Sequence, residues 1–292
     1  MKDKISKLFV QAGGFRDLEV PEIIASGGLV IYYCNTERLL CDNGKWEDYG
    51  NNSLEMINHA CNIERVFPEF REVIDAIVEI VKPLLNLSEK VAISGGQRRD
   101  WIFSGPVARR LKVPHISVYK NGEIEIHEDT HLINRDIEGF KALHICDLVT
   151  KASSAYSVSA NIENGCIPIL REKGVVVKDL ISVVDRLQGG RQNLERANVN
   201  LHSLVEINEA FLLQNSNQPL VAVEYFRQPQ IWAEKYIVNQ GINNFVDYFD
   251  PNGSKVERAH KFVEVYSKAL RETIRFGELK EKVKERFGID LS

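Results

Sequence analysis

Across residues 63–87 the apolar side chains Val66, Phe70, Val73, Ile74, Ile77, Ile80, Val81 and Leu84 recur at helical spacing, which predicts one amphipathic helix. A different rhythm begins at Lys90. Short apolar runs at 90–93, 113–119, 141–146, 175–185 and 199–204 read as strands. Between them lie helical stretches: one ending near Leu111, then 156–164, 168–173 and 192–197. Residues 120–137 are polar and acidic without a clear period and read as a loop. Strand, loop and helix in alternation predict an α/β fold with a mostly parallel sheet flanked by helices. Such sheets bind ligands beyond the C-terminal ends of their strands. The loops to inspect are therefore 94–100, 120–137, 147–154 and 185–190.

The flanks have other patterns. A short helix is expected over 5–12, and a strand over 29–33 behind the turn Ser26-Gly27-Gly28. Toward the C-terminus, 206–213 and 231–240 read as helices, the second ended by Gly241. Asp250-Pro251-Asn252-Gly253 is a strong turn, and 256–287 reads as one long charged amphipathic stretch. No internal repeat or low-complexity segment interrupts the chain.

Composition narrows the function classes. A net charge of −4 over 292 residues supplies no basic field for nucleic acid. The apolar runs, such as 29–34 and 175–177, are too short to cross a bilayer. Residues 1–10 carry three lysines and lack the apolar core of a signal peptide. The five cysteines are odd in number and form no CxxC pair, so a reduced, cytoplasmic protein is expected. Cys34, Cys41, His59 and Cys61 are potential zinc ligands, but their spacing fits no common zinc module; ordinary reduced cysteines are the simpler reading and no metal site is assigned.

Two segments carry chemistry. In 143–154 a hydrophobic strand runs into Asp147, and a loop with Thr150, Lys151, Ala152, Ser153 and Ser154 follows. Backbone N–H groups opening a helix there would cradle an anion, with the hydroxyls as further donors. An acid just before the cradle suits sugar hydroxyls or a hydrated magnesium ion. The same pattern also describes a strand-to-helix connection capped by Ser and Thr. In 181–190 a β-branched strand ends in Asp185-Arg186, with Gly189-Gly190 beyond it. An arginine at a strand end grips a planar carboxylate with its fork; a structural Asp-Arg ion pair is the alternative. Arg98 and Arg99 follow Gly95-Gly96 and either clamp pyrophosphate or open a helix as solvated ion pairs.

Together these segments resemble the type I phosphoribosyltransferases, and among them the orotate phosphoribosyltransferase family. The stretch VVDRLQGGRQNL at 183–194, and the short strand at 199–204 after it, look like that family's Asp-Arg…Gly-Gly signature. Ser26-Gly27 before Tyr32 and Tyr33 resembles its N-terminal hood. Ser94-Gly95-Gly96, Pro114 and Val118-Tyr119-Lys120 resemble its pyrophosphate loop and the strand ending in lysine. The resemblance runs in order over residues 5–212. It implies a hood at 1–60, a phosphoribosyltransferase-like core at 61–212 and a helical extension at 213–292.

The activity implied is transfer from phosphoribosyl pyrophosphate to orotate, giving orotidine 5′-phosphate and pyrophosphate, in pyrimidine nucleotide synthesis. Magnesium would come with the pyrophosphate, and a homodimer is implied. Carried over by position, Asp147 holds ribose hydroxyls and Thr150 to Ser154 take the 5-phosphate. Lys120, Ser94, Gly95, Gly96, Arg98 and Arg99 face the pyrophosphate. Arg186, Tyr32 and Tyr33 meet the base. The chain also departs from the family. Cys146 stands for an acid, Lys151 and Ala152 for small and glycine residues, and Ala25 for a hood lysine. The expected mobile loop carries Glu123, Glu125, Glu128 and Asp129 against His127 and His131. These departures favour a second reading: the fold kept as a sensor of phosphoribosyl pyrophosphate or a nucleotide, with catalysis weakened or lost.

Overall fold

A computed structural model describes residues 2–40, 52–86, 89–129, 131–240, 243–271 and 274–291. Cys41, Leu87 and Gly241, which entered the zinc, helix and helix-end readings, lie outside these residues. By its contacts the chain divides into two units, Met1–Gly14 with Asn35–Asn208, and Phe15–Cys34 with Glu209–Ser292. These boundaries differ from cuts near residues 60 and 212, because the N-terminal hairpin packs with the C-terminal helices. The first unit closes over that excursion: Asn35 N–H donates to Gly14 O at 2.7 Å.

The first unit is built on a seven-stranded sheet. With β1 (Phe15–Ile23) and β2 (Leu29–Cys34) assigned to the other unit, its strands are β3 (Val91–Gly96), β4 (His115–Val118), β5 (Ile124–Glu128), β6 (His131–Ile133), β7 (Lys141–Val149), β10 (Val176–Asp185) and β11 (Asn200–Glu206). A separate two-stranded hairpin holds β8 (Ser157–Ser159) and β9 (Ile162–Asn164). The sheet order is β11-β10-β7-β3-β4-β5-β6. The first five run parallel; β5 and β6 continue antiparallel from β4. Every residue of β3 and β4 is buried, as expected of strands covered on both faces. Its helices are α1 (Lys2–Gln11), α2 (Ser53–Val66), α3 (Pro68–Val81), α4 (Asp100–Leu111), α5 (Cys166–Glu172) and α6 (Gly190–Arg196). The core under the sheet gathers Ile116, Val118, Leu170, Leu180 and Leu194.

Three expectations are corrected in this unit. The single helix over 63–87 is two helices. Pro68 opens α3 and forces Phe67 into an extended conformation (φ −102°, ψ 107°), because a residue before proline avoids the helical region. The acidic 120–137 segment holds two strands, β5 and β6: Ile124 and Ile126 alternate with charged residues, a period-two signal hidden by the charge. Residues 156–164 are no helix but the β8–β9 hairpin. Ala160 and Asn161 both take positive φ (50° and 64°), the geometry of a tight two-residue hairpin turn.

The second unit joins the β1–β2 hairpin, with β1 not anticipated from the pattern, to α7 (Glu209–Asn215), α8 (Pro219–Arg227), α9 (Pro229–Gln240), α10 (Val256–Val265), α11 (Ser267–Arg271) and α12 (Ile274–Phe287). The stretch expected as one helix is thus three, the first ending at Val265 and capped by Tyr266. Tyr266 faces inward and its hydroxyl accepts Leu29 N–H at 3.1 Å, while Tyr225 OH donates to Leu29 O at 3.0 Å. Phe245, Phe249, Phe262, Leu279 and Val283 fill the core around these contacts. Among the described residues no helix is long and apolar enough to cross a membrane.

Candidate active site

The parallel register places the two signature acids at one end of the sheet. On β7 and β10, Val184 pairs with Leu148 and Asp185 with Val149, so Asp147 and Asp185 sit near the C-terminal ends of adjacent strands. β3 ends alongside at Gly95 and Gly96, paired with Ser117 and Val118 of β4. The loops after β3, β7 and β10 therefore open on the same edge.

Beyond β3 the chain is held closely. Gln97 N–H donates to Val118 O at 2.8 Å, and the Gln97 side chain accepts Lys120 N–H at 3.0 Å. Lys120 thereby joins the post-β3 loop, with an exposed side chain. Arg98 is half-buried and Arg99 exposed. Arg99 engages two carboxylates, Glu37 at 3.1 Å and Asp147 at 3.6 Å. Asp147 also accepts the Thr36 hydroxyl at 2.9 Å. Asp100, the first residue of α4, accepts Gly96 N–H at 3.0 Å and Asp147 N–H at 2.9 Å. Burial, and then the charge of Asp147, push its carboxyl well above the ordinary aspartate value.

After β7, Thr150, Lys151, Ala152, Ser153 and Ser154 make a tight turn rather than a helix start. Ala152 takes φ 58°, and its carbonyl accepts both Ala155 N–H (3.0 Å) and Tyr156 N–H (2.8 Å). The hairpin β8–β9 follows, and α5 begins only at Cys166. The expected helix N-terminus behind this loop is thus absent, because the chain bonds back on itself at Ala152. Lys151, Ser153 and Ser154 are exposed. The turn is braced from α6, whose Asn193 amide donates to Lys151 O at 3.0 Å and Tyr156 O at 2.7 Å. Gly190 permits that approach: a Cβ there would lie 2.4 Å from Val149 Cγ1 and 2.8 Å from Thr150 O.

At the end of β10, Arg186 N–H donates to Val149 O at 2.8 Å, and Asp185 accepts Leu187 N–H at 2.8 Å. Both side chains are buried, Arg186 to 7% exposure. Burial raises the Asp185 carboxyl. Cys146 is sealed in the core, where burial, with Asp100 and Asp147 nearby, raises its thiol strongly, so it supplies no second charge. The acids of the β4–β6 hairpins are largely engaged. Glu125 accepts the Tyr119 hydroxyl (2.6 Å) and the Ser53 hydroxyl (2.5 Å), Glu128 pairs with Arg135, and Asp129 with Arg109 at 3.2 Å.

The two tyrosines assigned to the base belong to the other unit. Tyr32 is fully buried between Phe15 and Tyr225, at ring separations of 5.5 and 5.6 Å. Tyr33 is exposed, with the Arg16 guanidinium 5.6 Å from its ring centre. Of the zinc candidates, Cys34 and Cys61 fall in different units, and no group of three or more His, Cys, Asp or Glu side chains is arranged for a metal among the described residues. Pattern reading missed Thr36, Glu37 and Asp100. Only Asp100 had a local signal, an acid opening the helix behind two glycines; Thr36 reaches Asp147, and Glu37 reaches Arg99, from distant parts of the chain.

No protein-family model matches the chain. It is 27% identical over 150 residues to the orotate phosphoribosyltransferase of Saccharolobus solfataricus, covering 50% of this chain and 69% of that one. It is 54% identical over 102 residues to that of Thermoplasma volcanium, covering 34% and 54%, so the match spans about half of that relative's length. Among solved structures, orotate phosphoribosyltransferase from Aeropyrum pernix aligns with a TM-score of 0.50 at 19% identity, over 72% of this chain and 98% of its own. Leishmania donovani UMP synthase aligns with a TM-score of 0.50 at 17% identity, over 76% and 41%. With its five parallel strands, its candidate loops on one edge and these relatives, the chain has the type I phosphoribosyltransferase fold and is similar to orotate phosphoribosyltransferases.

Proposed function

We propose that this chain is an orotate phosphoribosyltransferase, which transfers the phosphoribosyl group of phosphoribosyl pyrophosphate to orotate. The observation that carries the reading is the gathering of Gly95-Gly96, Asp147, the 150–154 turn and Asp185-Arg186 on one edge of adjacent parallel strands. In this reading Asp147 accepts hydrogen bonds from the ribose hydroxyls, and the turn from Thr150 through Lys151, Ala152, Ser153 and Ser154 takes the 5-phosphate. Lys120, Arg98 and Arg99 face the leaving pyrophosphate, with Ser94, Gly95 and Gly96 forming the floor. Magnesium enters as the counter-ion of the pyrophosphate substrate. Arg186 meets the orotate carboxylate. The protein's contribution is to orient both substrates and to offset the charge that develops on the leaving group. A cytoplasmic homodimer acting in pyrimidine nucleotide synthesis belongs to the same proposal.

A second reading, a sensor of phosphoribosyl pyrophosphate without turnover, draws on one observation. Asp147 is already engaged by Arg99 and Thr36, so ribose must displace resident partners. The acidic hairpin no longer argues for it, since Glu125, Glu128 and Asp129 have partners of their own. Pyrophosphate release measured with a panel of bases, beside calorimetry with phosphoribosyl pyrophosphate, separates the two. Orotate-dependent release supports the enzyme. Binding without release for any base overturns it in favour of the sensor.

A further inference from the structure

Asp100 is an acid that neither signature contains, and it reaches across a gap in the sheet. β3 and β7 pair from Val91–Lys141 to Ser94–His144, and their ladder stops there. Each strand nevertheless continues, β3 to Gly96 and β7 to Val149. Past the last pair, backbone N–H groups on the facing edges need other acceptors. The Asp100 carboxyl supplies both: Oδ2 accepts Gly96 N–H at 3.0 Å and Oδ1 accepts Asp147 N–H at 2.9 Å.

This carboxyl is not an ordinary helix cap. Asp100 is the first residue of α4, yet no side chain caps that helix, and its two bonds run to strands instead. Its own position is fixed behind it. Trp101 Nε1–H donates to Gly95 O at 2.9 Å, and the Ser104 hydroxyl donates to Asp100 O at 2.8 Å. Gly96 leaves the room required, since a Cβ there would lie 2.9 Å from Asp100 Oδ2 and 2.7 Å from Cys166 Sγ. Burial and the neighbouring Asp147 charge both favour the neutral form of Asp100, which limits repulsion between the two acids.

We propose that Asp100 is a positioning residue for phosphoribosyl transfer: its two carboxyl oxygens tie the end of β3 to Asp147 and so set the separation between the pyrophosphate-facing glycines and the ribose-facing acid. The inference rests on the proposed function for its ligand, whereas the tie itself is a property of the free protein. An acid that spans the two strands holds both halves of one extended substrate in register, and small errors of placement are costly in such a reaction.

Asp100→Asn tests it. The amide is nearly isosteric but offers one acceptor oxygen, and its NH2 would face the second N–H donor. Residue-resolved amide exchange on the wild type comes first, with Gly96 and Asp147 expected among the protected amides. In Asp100→Asn at least one of them should exchange about tenfold faster, while the paired part of the β3–β7 ladder is unchanged. The KM for phosphoribosyl pyrophosphate should rise about tenfold with the KM for orotate unchanged. Fast exchange of both amides in the wild type overturns the tie and needs no variant. Lost protection with unaltered kinetics overturns the positioning role. A wild type that neither binds phosphoribosyl pyrophosphate nor releases pyrophosphate overturns the functional reading and with it the ligand half of this proposal; the exchange data still decide the tie.

Discussion

The two units bury different chemistry. Among the described residues, every buried polar or charged side chain other than tyrosine lies in the sheet unit: Thr36, Ser53, Glu64, Ser94, Ser104, His115, Ser117, His127, His144, Ser182, Asp185, Arg186 and Ser203. The helical unit is packed instead with aromatic and aliphatic groups around Phe245, Phe249 and Phe262, with tyrosine hydroxyls on backbone atoms of Leu29. Under the sheet, three histidines meet serines. His144 Nδ1 lies 3.0 Å from Ser94 Oγ, His115 Nε2 2.8 Å from Ser104 Oγ, and His127 Nε2 2.9 Å from Ser53 Oγ. A polar group inside costs free energy unless it is bonded, and among the described residues His144 Nε2 and His127 Nδ1 have no hydrogen-bond partner. The helical unit draws its stability from apolar transfer. The sheet unit carries a polar interior beneath its candidate site, and its stability should depend on pH.

The comparison is most sharply tested by removing a large apolar group. Phe262→Ala should cost about 3–5 kcal/mol, read as a fall in the denaturant midpoint, with amide protection lost first in the helical unit. A cost confined to the sheet unit would break the contrast.

The next effect is pH. Burial holds His115 well below, His127 below, and His144 down to about 4 against an ordinary value of 6.5. The unfolded chain therefore binds more protons than the folded one. Stability from these groups is complete above about pH 6.5, falls as pH drops below it, and levels off below the folded values. For His144 the window from 6.5 to about 4 corresponds to roughly 3 kcal/mol. The raised carboxyls of Asp100 and Asp185 act in the opposite sense: their contribution is lost as pH rises from about 3.8 through their folded values. Urea midpoints of wild type and His144→Gln between pH 7 and pH 4 isolate the histidine term. Parallel curves would refute it.

At the proposed base site, Arg186→Lys should weaken orotate use by about 1.5–3 kcal/mol, roughly ten- to a hundredfold, with phosphoribosyl pyrophosphate binding nearly unchanged. Steady-state kinetics with both substrates varied will show it; equal losses for both would mean that Arg186 only supports the fold. A smaller effect is expected one turn on. Gly190→Ala places a methyl against Val149 and the Thr150 carbonyl, and should cost about 1–3 kcal/mol of stability. It should also loosen the 150–154 turn, visible as faster exchange at Ala155 and Tyr156.

Much of the sheet unit could be read without coordinates. The five parallel strands carry short apolar runs bounded by turn residues, and those runs appear in the structure within a few residues of their expected ends. Asp147 and Asp185 could be placed at one edge because a parallel sheet aligns its strand ends. The misreadings arose where local pattern is ambiguous. Charged residues at 123–129 hid a strand, Pro68 split one periodic stretch in two, and Ala160-Asn161 turned an expected helix into a hairpin.

Local pattern alone therefore determined the fold class, the order of the parallel strands' elements and the placement of the candidate loops, because hydrophobic period and turn residues act over a few positions. The tertiary structure decided the rest. It joined the hairpin at 15–34 to helices two hundred residues away, since both needed an apolar partner that neither neighbourhood supplies. It set Arg99 and Thr36 on Asp147, buried Tyr32 in an aromatic cluster, and spanned the gap between β3 and β7 with Asp100. Such contacts depend on where distant strands end in space, and no spacing along the chain encodes that distance.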